Sequence, residues 1–144
     1  MKQKKSNRSI VLVDTREQLP ISFLGWKKHK LDVGDYTTEL LLNKFHIERK
    51  SPQDLYQSII QNHFRFVNML CLAKSRRIKI AIYVECIRKN FVQLKFPKGN
   101  ERKMRPETLD KIVATMETRY EFVWCKDRDD LKKKIMKRFK QETK

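Results

Sequence analysis

The stretch "IKIAIYVE", Ile78 to Glu85, limits the fold most. It alternates for a few residues and then runs apolar, the pattern of an interior strand that is covered on both faces. A strand of that kind needs neighbours on each side and helices above and below. "SIVLVD", Ser9 to Asp14, reads as a second buried strand that ends in an acid. Thr37–Leu42 and Phe45–Arg49 read as two further strands around a hairpin turn at Asn43-Lys44, and "EFVWC" as a short last one.

Helical stretches separate these runs. Ser51 is a good N-cap, Pro52 suits the first helical position, and Asp54 falls where a capping-box acid sits. Leu55 and Ile59 share one face of that helix; Gln61-Asn62 breaks or kinks it before it resumes through Val67, Leu70 and Cys71. Pro106 opens another helix with Leu109, Ile112, Val113 and Met116 on one stripe. The last helix carries Leu131, Ile135, Met136 and Phe139 on one side, with Lys132, Lys133, Lys134, Lys137, Arg138 and Lys140 around the remainder. "TREQLP" turns away from the first strand, with Pro20 stopping any helix. Cys86–Arg105 is the least readable part: "NFVQLKF" fits a strand or a mobile basic loop. Strands alternating with helices imply an α/β domain with a mixed sheet, functional residues gathering at the strand ends.

The chain has 144 residues, the size of one compact domain, and 40% of them are hydrophobic, enough for a core. Residues 1–8 are basic and polar and read as a flexible N-terminus with no signal-peptide core behind it. No apolar stretch approaches a membrane span, so no membrane partner is expected. Cys71, Cys86 and Cys125 are widely spaced, and with His29, His46 and His63 they form no ligand pattern. The expectation is no zinc, reduced half-buried thiols and surface or structural histidines. An intracellular location follows: cytoplasm or nucleoid in a prokaryote or virus, nucleus in a eukaryote.

The 34 Lys and Arg outnumber the 17 Asp and Glu, a formal charge of +17. DNA or RNA is the partner such a surface suits, because each neutralised phosphate releases counterions. Among so many bases, the acids stand out. Glu48 and Lys50 are two apart on a strand, so their side chains leave one face while Arg49 leaves the other. Asp35 follows Gly34 one element upstream and comes close to Glu48 if the two strands pair. Asp14, Arg16 and Glu17 stand at the end of the first strand. Two carboxylates can hold Mg²⁺, a hard ion that prefers oxygen ligands and keeps several waters. Such a metal acidifies a bound water, and a nearby Lys orients that water or neutralises the phosphate transition state. The same residues also fit a solvated strand face, a turn after Gly34 and a local ion pair.

"VDTRE" at 13–17, "VGDY" at 33–36 and "IERKSPQDL" at 47–55 together resemble the nuclease domain of the XPF family of structure-specific endonucleases. That family's signature is Gly-Asp, a variable gap, Glu-Arg-Lys, three residues and Asp, met here by Gly34-Asp35, Glu48-Arg49-Lys50 and Asp54. The similarity spans about residues 10–85, with a weaker continuation to the C-terminus. It implies a restriction-endonuclease-like α/β fold of the PD-(D/E)xK type. It implies Mg²⁺ or Mn²⁺ on Asp35 and Glu48, with Asp14 beside them as ligand or water-holder. Lys50 becomes the catalytic lysine, Glu17 joins the acids, and Arg16, Arg49 and Asp54 support them. Asp54 is equally explained as a helix cap, and Arg49 as a partner of the acids from the opposite strand face.

Two departures from the family pattern matter. Gln61-Asn62-His63 stands where members often carry Gly-Arg, so Asn62 replaces the glycine and Arg65 is a candidate for the arginine. Many members continue into helix-hairpin-helix modules, which these residues lack; the expectation is a single nuclease domain over 1–144. Its grip on DNA then comes from its own basic surface, a partner protein or a second copy. The stripes of Pro106–Arg119 and Asp129–Lys140 are candidate homodimer faces by resemblance. Lys132, Lys133 and Lys137 either grip DNA or form a solvated face, and Trp26 either stacks on a base or packs.

The reading is a metal-dependent DNA endonuclease acting on branched, flapped or nicked DNA in repair, recombination or replication. A non-catalytic DNA-binding partner subunit of a nuclease complex is the alternative. A basic interaction protein whose acids only balance charge is the third, and it predicts that Asp14, Asp35 and Glu48 lie far apart.

Overall fold

In the computed structural model, strand β5 (Lys79–Val84) is flanked on both sides by parallel strands, β4 (Phe45–Lys50) and β6 (Glu121–Trp124). The structure describes residues 9–17, 21–61, 63–96 and 104–144. The basic N-terminus 1–8, the helix stop at Pro20 and the substitute glycine position Asn62 lie outside the described residues. β3 (Tyr36–Thr38) pairs antiparallel with both β4 and β1 (Val11–Val13). β2 (Lys27–Lys28) runs parallel to β1 at the edge. The six-stranded order is β2-β1-β3-β4-β5-β6, a mixed sheet.

Parallel neighbours need long crossovers. Helices α1 (Pro52–Ile60) and α2 (His63–Ser75) connect β4 to β5, and α3 (Arg88–Val92) and α4 (Pro106–Arg119) connect β5 to β6. Helix α5 (Arg128–Thr143) follows β6. Along β5 the side chains divide between two apolar layers. Ala81 and Tyr83 join Phe45 and Ile47 of β4 against Leu131, Ile135 and Phe139 of α5. Ile82 and Val84 face the other way, into Leu55, Phe66, Leu70, Phe91, Leu109 and Val113 from the first four helices. Each fully buried side chain of this kind is worth roughly 1.5–3 kcal/mol of transfer free energy.

This period of two also fixes the functional faces. Since Phe45 and Ile47 point at α5, Arg49 does too, and Glu48 and Lys50 point toward α1 and α2. Among the described residues no helix is long and apolar enough to cross a membrane.

Several local expectations are corrected. The strand expected over Thr37–Leu42 ends at Thr38, and 39–44 form turns. There the Leu41 N–H donates to the Thr38 carbonyl at 3.1 Å, and Lys44 and Phe45 donate back to Leu41 at 2.8 and 2.9 Å. Local bonds thus satisfy the backbone, and Leu41 is buried in the core. Asn43 does turn the chain, with φ 63°. "NFVQLKF" is neither strand nor loop at its start: α3 forms there, with Phe91 stacked on Phe96 at 5.8 Å and against Trp124 at 5.7 Å. The buried stripe of α2 is Phe66, Leu70 and Ala73, which leaves Cys71 exposed rather than half-buried. Cys86 and Cys125 are buried. Met136 lies one position past Ile135, about 100° around the helix, and is 37% exposed, off the packed stripe.

Candidate functional site

β1, β3 and β4 are neighbours, and their sequence order brings three acids to one end of the sheet. Asp14 follows the C-terminal end of β1, Asp35 precedes the N-terminal end of the antiparallel β3, and Glu48 lies near the C-terminal end of β4. Backbone bonds tie them together: the Asp14 N–H donates to the Asp35 carbonyl at 2.8 Å, and the Asp35 N–H to the Ile47 carbonyl at 2.8 Å. Gly34 makes this approach possible. Its φ is +77°, and a Cβ there would stand 3.1 Å from the His46 Cβ and 3.2 Å from the Ile47 carbonyl oxygen.

His46 holds the same corner from within the sheet. Its buried ring donates from Nδ1 to the Val33 carbonyl at 2.8 Å and accepts the Asn43 N–H on Nε2 at 2.9 Å. Those two bonds require the neutral tautomer, and burial keeps the imidazole below its ordinary pKa. His46 is therefore structural, while His29 and His63 are exposed.

Asp35 and Glu48 both face the cleft, close enough to act on each other's ionisation. Burial pushes the Asp35 carboxyl well above its usual range, and the charges of Glu48 and Glu17 push it further. The Arg49 N–H, donating to Asp35 Oδ2 at 2.8 Å, works against that. Burial also raises Glu48, with Lys50 opposing. Two half-buried carboxylates set side by side favour holding a proton or a cation between them.

Lys50 stands beside them. Its Nζ is 3.5 Å from Glu48 Oε2, donates to Ser58 Oγ at 3.0 Å and sits 5.3 Å from the centre of the Phe66 ring. Arg49, on the opposite strand face, pairs through Nε with Glu85 and lies 3.5 Å from Glu17. Burial disfavours its charge, but Glu85 and Glu17 more than restore it, and its pKa is raised. Arg128, from the start of α5, reaches Glu85 at 3.4 Å.

Asp14 is buried with both oxygens in use. Oδ1 accepts the Leu31 N–H at 2.8 Å and Oδ2 accepts Arg16 Nε at 2.9 Å, while the other end of Arg16 donates to the Leu31 carbonyl at 2.8 Å. Each carboxylate oxygen keeps one further lone pair.

A cleft of about 500 Å³ opens over these groups. Asp14, Arg16, Glu17, Asp35, Glu48 and Lys50 line its sheet side, and Ser58, Arg65 and Asn68 are among the residues that line its helix side. The acids are not scattered. Asp54 is exposed on α1 and lies outside the lining; its backbone N–H donates to the capping oxygen of Ser51 at 3.1 Å, a bond that does not involve its carboxylate. Trp26 is half-buried against the α5-side core, Lys132 lies 5.8 Å over the Phe23 ring, and Lys133 and Lys137 are exposed. The structure brings none of these four to the cleft.

Ser58, Asn68 and Glu85 were not singled out in the sequence. Ser58 had a signal: it is a polar residue on the same helical face as Leu55 and Ile59, where an apolar one is expected.

The lining offers oxygen donors and contains neither Cys nor His. Among the described residues no three or more His, Cys, Asp or Glu side chains close into a ready-made metal cage. Two carboxylates with room for water is nonetheless the donor set that Mg²⁺ or Mn²⁺ takes, since such ions retain much of their hydration. Asp35 and Glu48 fit that role, with Asp14 at hand.

No protein-family model matches the sequence, and no curated protein sequence matches it. Several solved chains match it in fold, two of them from one organism. XPF from Aeropyrum pernix aligns with a TM-score of 0.68 at 19% identity, covering 93% of this chain and 61% of that one. XPF from Aeropyrum pernix in complex with DNA aligns with a TM-score of 0.67 at 19% identity, covering 94% and 66%. This chain thus spans less than two thirds of either XPF chain. The fold is the XPF-like one, a restriction-endonuclease-like mixed sheet flanked by helices, as the three motifs implied.

Proposed function

We propose that the protein is a Mg²⁺- or Mn²⁺-dependent endodeoxyribonuclease that hydrolyses phosphodiester bonds, acting at branched, flapped or nicked DNA in repair, recombination or replication. The observation that carries this reading is the half-buried Asp35–Glu48 pair with the Lys50 amine 3.5 Å from Glu48 at the floor of a cleft. The formal charge of +17 and the likeness in fold to an XPF solved with DNA support it.

Asp35 and Glu48 would hold the cation, which when bound acidifies a water and neutralises charge on the phosphate. The chain's own groups do the remainder. Lys50 presents an amine to the water or to the developing phosphate charge. Arg49 holds Asp35 through its backbone N–H and Glu17 through its guanidinium. Arg16 and Arg65, on opposite walls of the cleft, offer cations to the flanking phosphates. The acids thus concentrate a metal where the basic surface concentrates DNA.

Labelled duplex, flap, nicked and junction DNA incubated with Mg²⁺ or Mn²⁺ tests this. Cleavage that needs the metal and is lost in Asp35→Ala and Lys50→Ala is expected. Full activity in either variant, or no metal-dependent cleavage on any substrate, refutes it. Metal-independent binding without cutting makes the chain the non-catalytic partner of another nuclease.

A further inference from the structure

We infer that Ser58 is the positioning residue for Lys50, which deepens the endonuclease reading above and rests on it. Ser58 is buried on the face of α1 that packs toward the sheet, in line with Leu55 and Ile59, and exposes only 5% of its surface. Its Oγ accepts from Lys50 Nζ at 3.0 Å, closer than the 3.5 Å between that amine and Glu48 Oε2. The Phe66 ring, 5.3 Å away on α2, closes another side.

A lysine amine ends four rotatable bonds and carries three donors, so one ion pair does not fix its place. Here the amine has a hydroxyl, a carboxylate and an aromatic ring around it. Of these, the carboxylate is the group that a cation in the cleft also uses. The Ser58 hydroxyl stands on a rigid helix and makes no demand on that cation, so its hold on Lys50 persists whether or not Glu48 is engaged elsewhere. α1 is itself fixed directly after β4 by the Ser51 cap, so the strand that carries Lys50 and the helix that receives it form one short unit. Ser58 therefore fixes where the amine points, and Lys50 acts on the reacting atoms.

Two readouts test this in the full chain. The first is steady-state cleavage by wild type, Ser58→Ala and Ser58→Thr. Alanine is a better helix former than serine and fills no extra space, which offsets part of the lost bond, so Ser58→Ala keeps its fold. It lowers kcat by about 10- to 100-fold, the rate equivalent of one hydrogen bond to a charged group, with KM unchanged. Ser58→Thr, which retains the hydroxyl, recovers most of kcat, and Ser58→Ala adds no loss in a Lys50→Ala background. The second readout needs neither metal nor substrate: the side-chain NMR resonance of Lys50, assigned by its disappearance in Lys50→Ala. It shifts toward that of exposed lysines in Ser58→Ala and returns in Ser58→Thr. A kcat or a resonance indifferent to Ser58→Ala overturns the assignment. If wild type cuts no DNA, the endonuclease reading fails by itself, and the resonance still decides whether Ser58 anchors the amine.

Discussion

Replacing Asp35 by Asn makes the metal-free protein more stable while ending its activity. The half-buried carboxylate feels the charge of Glu48, with Glu17 adding to the repulsion. Two unit charges about 4 Å apart repel by about 4 kcal/mol at an effective dielectric of 20. Two features return part of that. Lys50 is 3.5 Å from Glu48, and a proton shared by the acids relieves some of the rest. A net gain of roughly 1–3 kcal/mol remains for Asp35→Asn. The amide oxygen keeps the bond from the Arg49 N–H, now 2.8 Å from Asp35 Oδ2, so no donor is stranded. For a chain of this size the gain raises the melting temperature by about 2–10 °C. Calorimetry in chelator is the assay. Repeating it with the cation in 100-fold excess over its Kd stabilises wild type by about 2.7 kcal/mol and leaves Asp35→Asn nearly unmoved. An Asp35→Asn variant that melts below wild type in chelator would mean that the acids are comfortably paired, and would refute the electrostatic reasoning.

Other perturbations test separate parts of the structure. Gly34→Ala forces a side chain into φ +77° and against the Ile47 carbonyl at 3.2 Å; a loss of about 2–4 kcal/mol in urea unfolding is expected, and an unchanged midpoint would contradict the packing of this corner. Arg138 binds Glu121 and Glu142, both held below their ordinary pKa of 4.5. Depressed acids contribute stability above that value and lose it as pH falls through the folded pKa, so wild type weakens below about pH 4.5. Arg138→Met flattens that limb of the melting curve; a limb identical to wild type counts against the pairing. Arg65 lines the cleft and the α5 lysines do not, so Arg65→Ala slows DNA cleavage more than Lys133→Ala with Lys137→Ala does, and the reverse ranking would place the DNA on the other face of the sheet.

Much of the architecture is written in local pattern. Ile78–Glu85 is readable as an interior strand because its alternate side chains enter two apolar layers, and β5 does exactly divide Ala81 and Tyr83 from Ile82 and Val84. The grouping of Glu48 with Lys50, and Arg49 away from them, follows from the strand period alone. The cap at Ser51 and the break after Ile60 are likewise local. What escaped depends on distant partners. α3 forms where Phe91 meets Trp124, 33 positions on, and no local pattern announces that contact. The strand stops after Thr38 because the Leu41 N–H turns back to the Thr38 carbonyl and hydroxyl, a choice that propensity leaves open. The separation of α5 from the cleft is a property of which sheet face each helix covers, so the basic stripe of Lys132, Lys133 and Lys137 gave no hint of it. Ser58 shows how a polar residue on an apolar face can mark a site, once the residue it meets is known.

Anomalous diffraction from crystals soaked in Mn²⁺ would locate the cation on which the nuclease reading depends. One ion bridging Asp35 and Glu48 is expected, its remaining positions filled by water and the Lys50 amine close by. Clear density for both carboxylates, turned apart and with no ion between them, would contradict it.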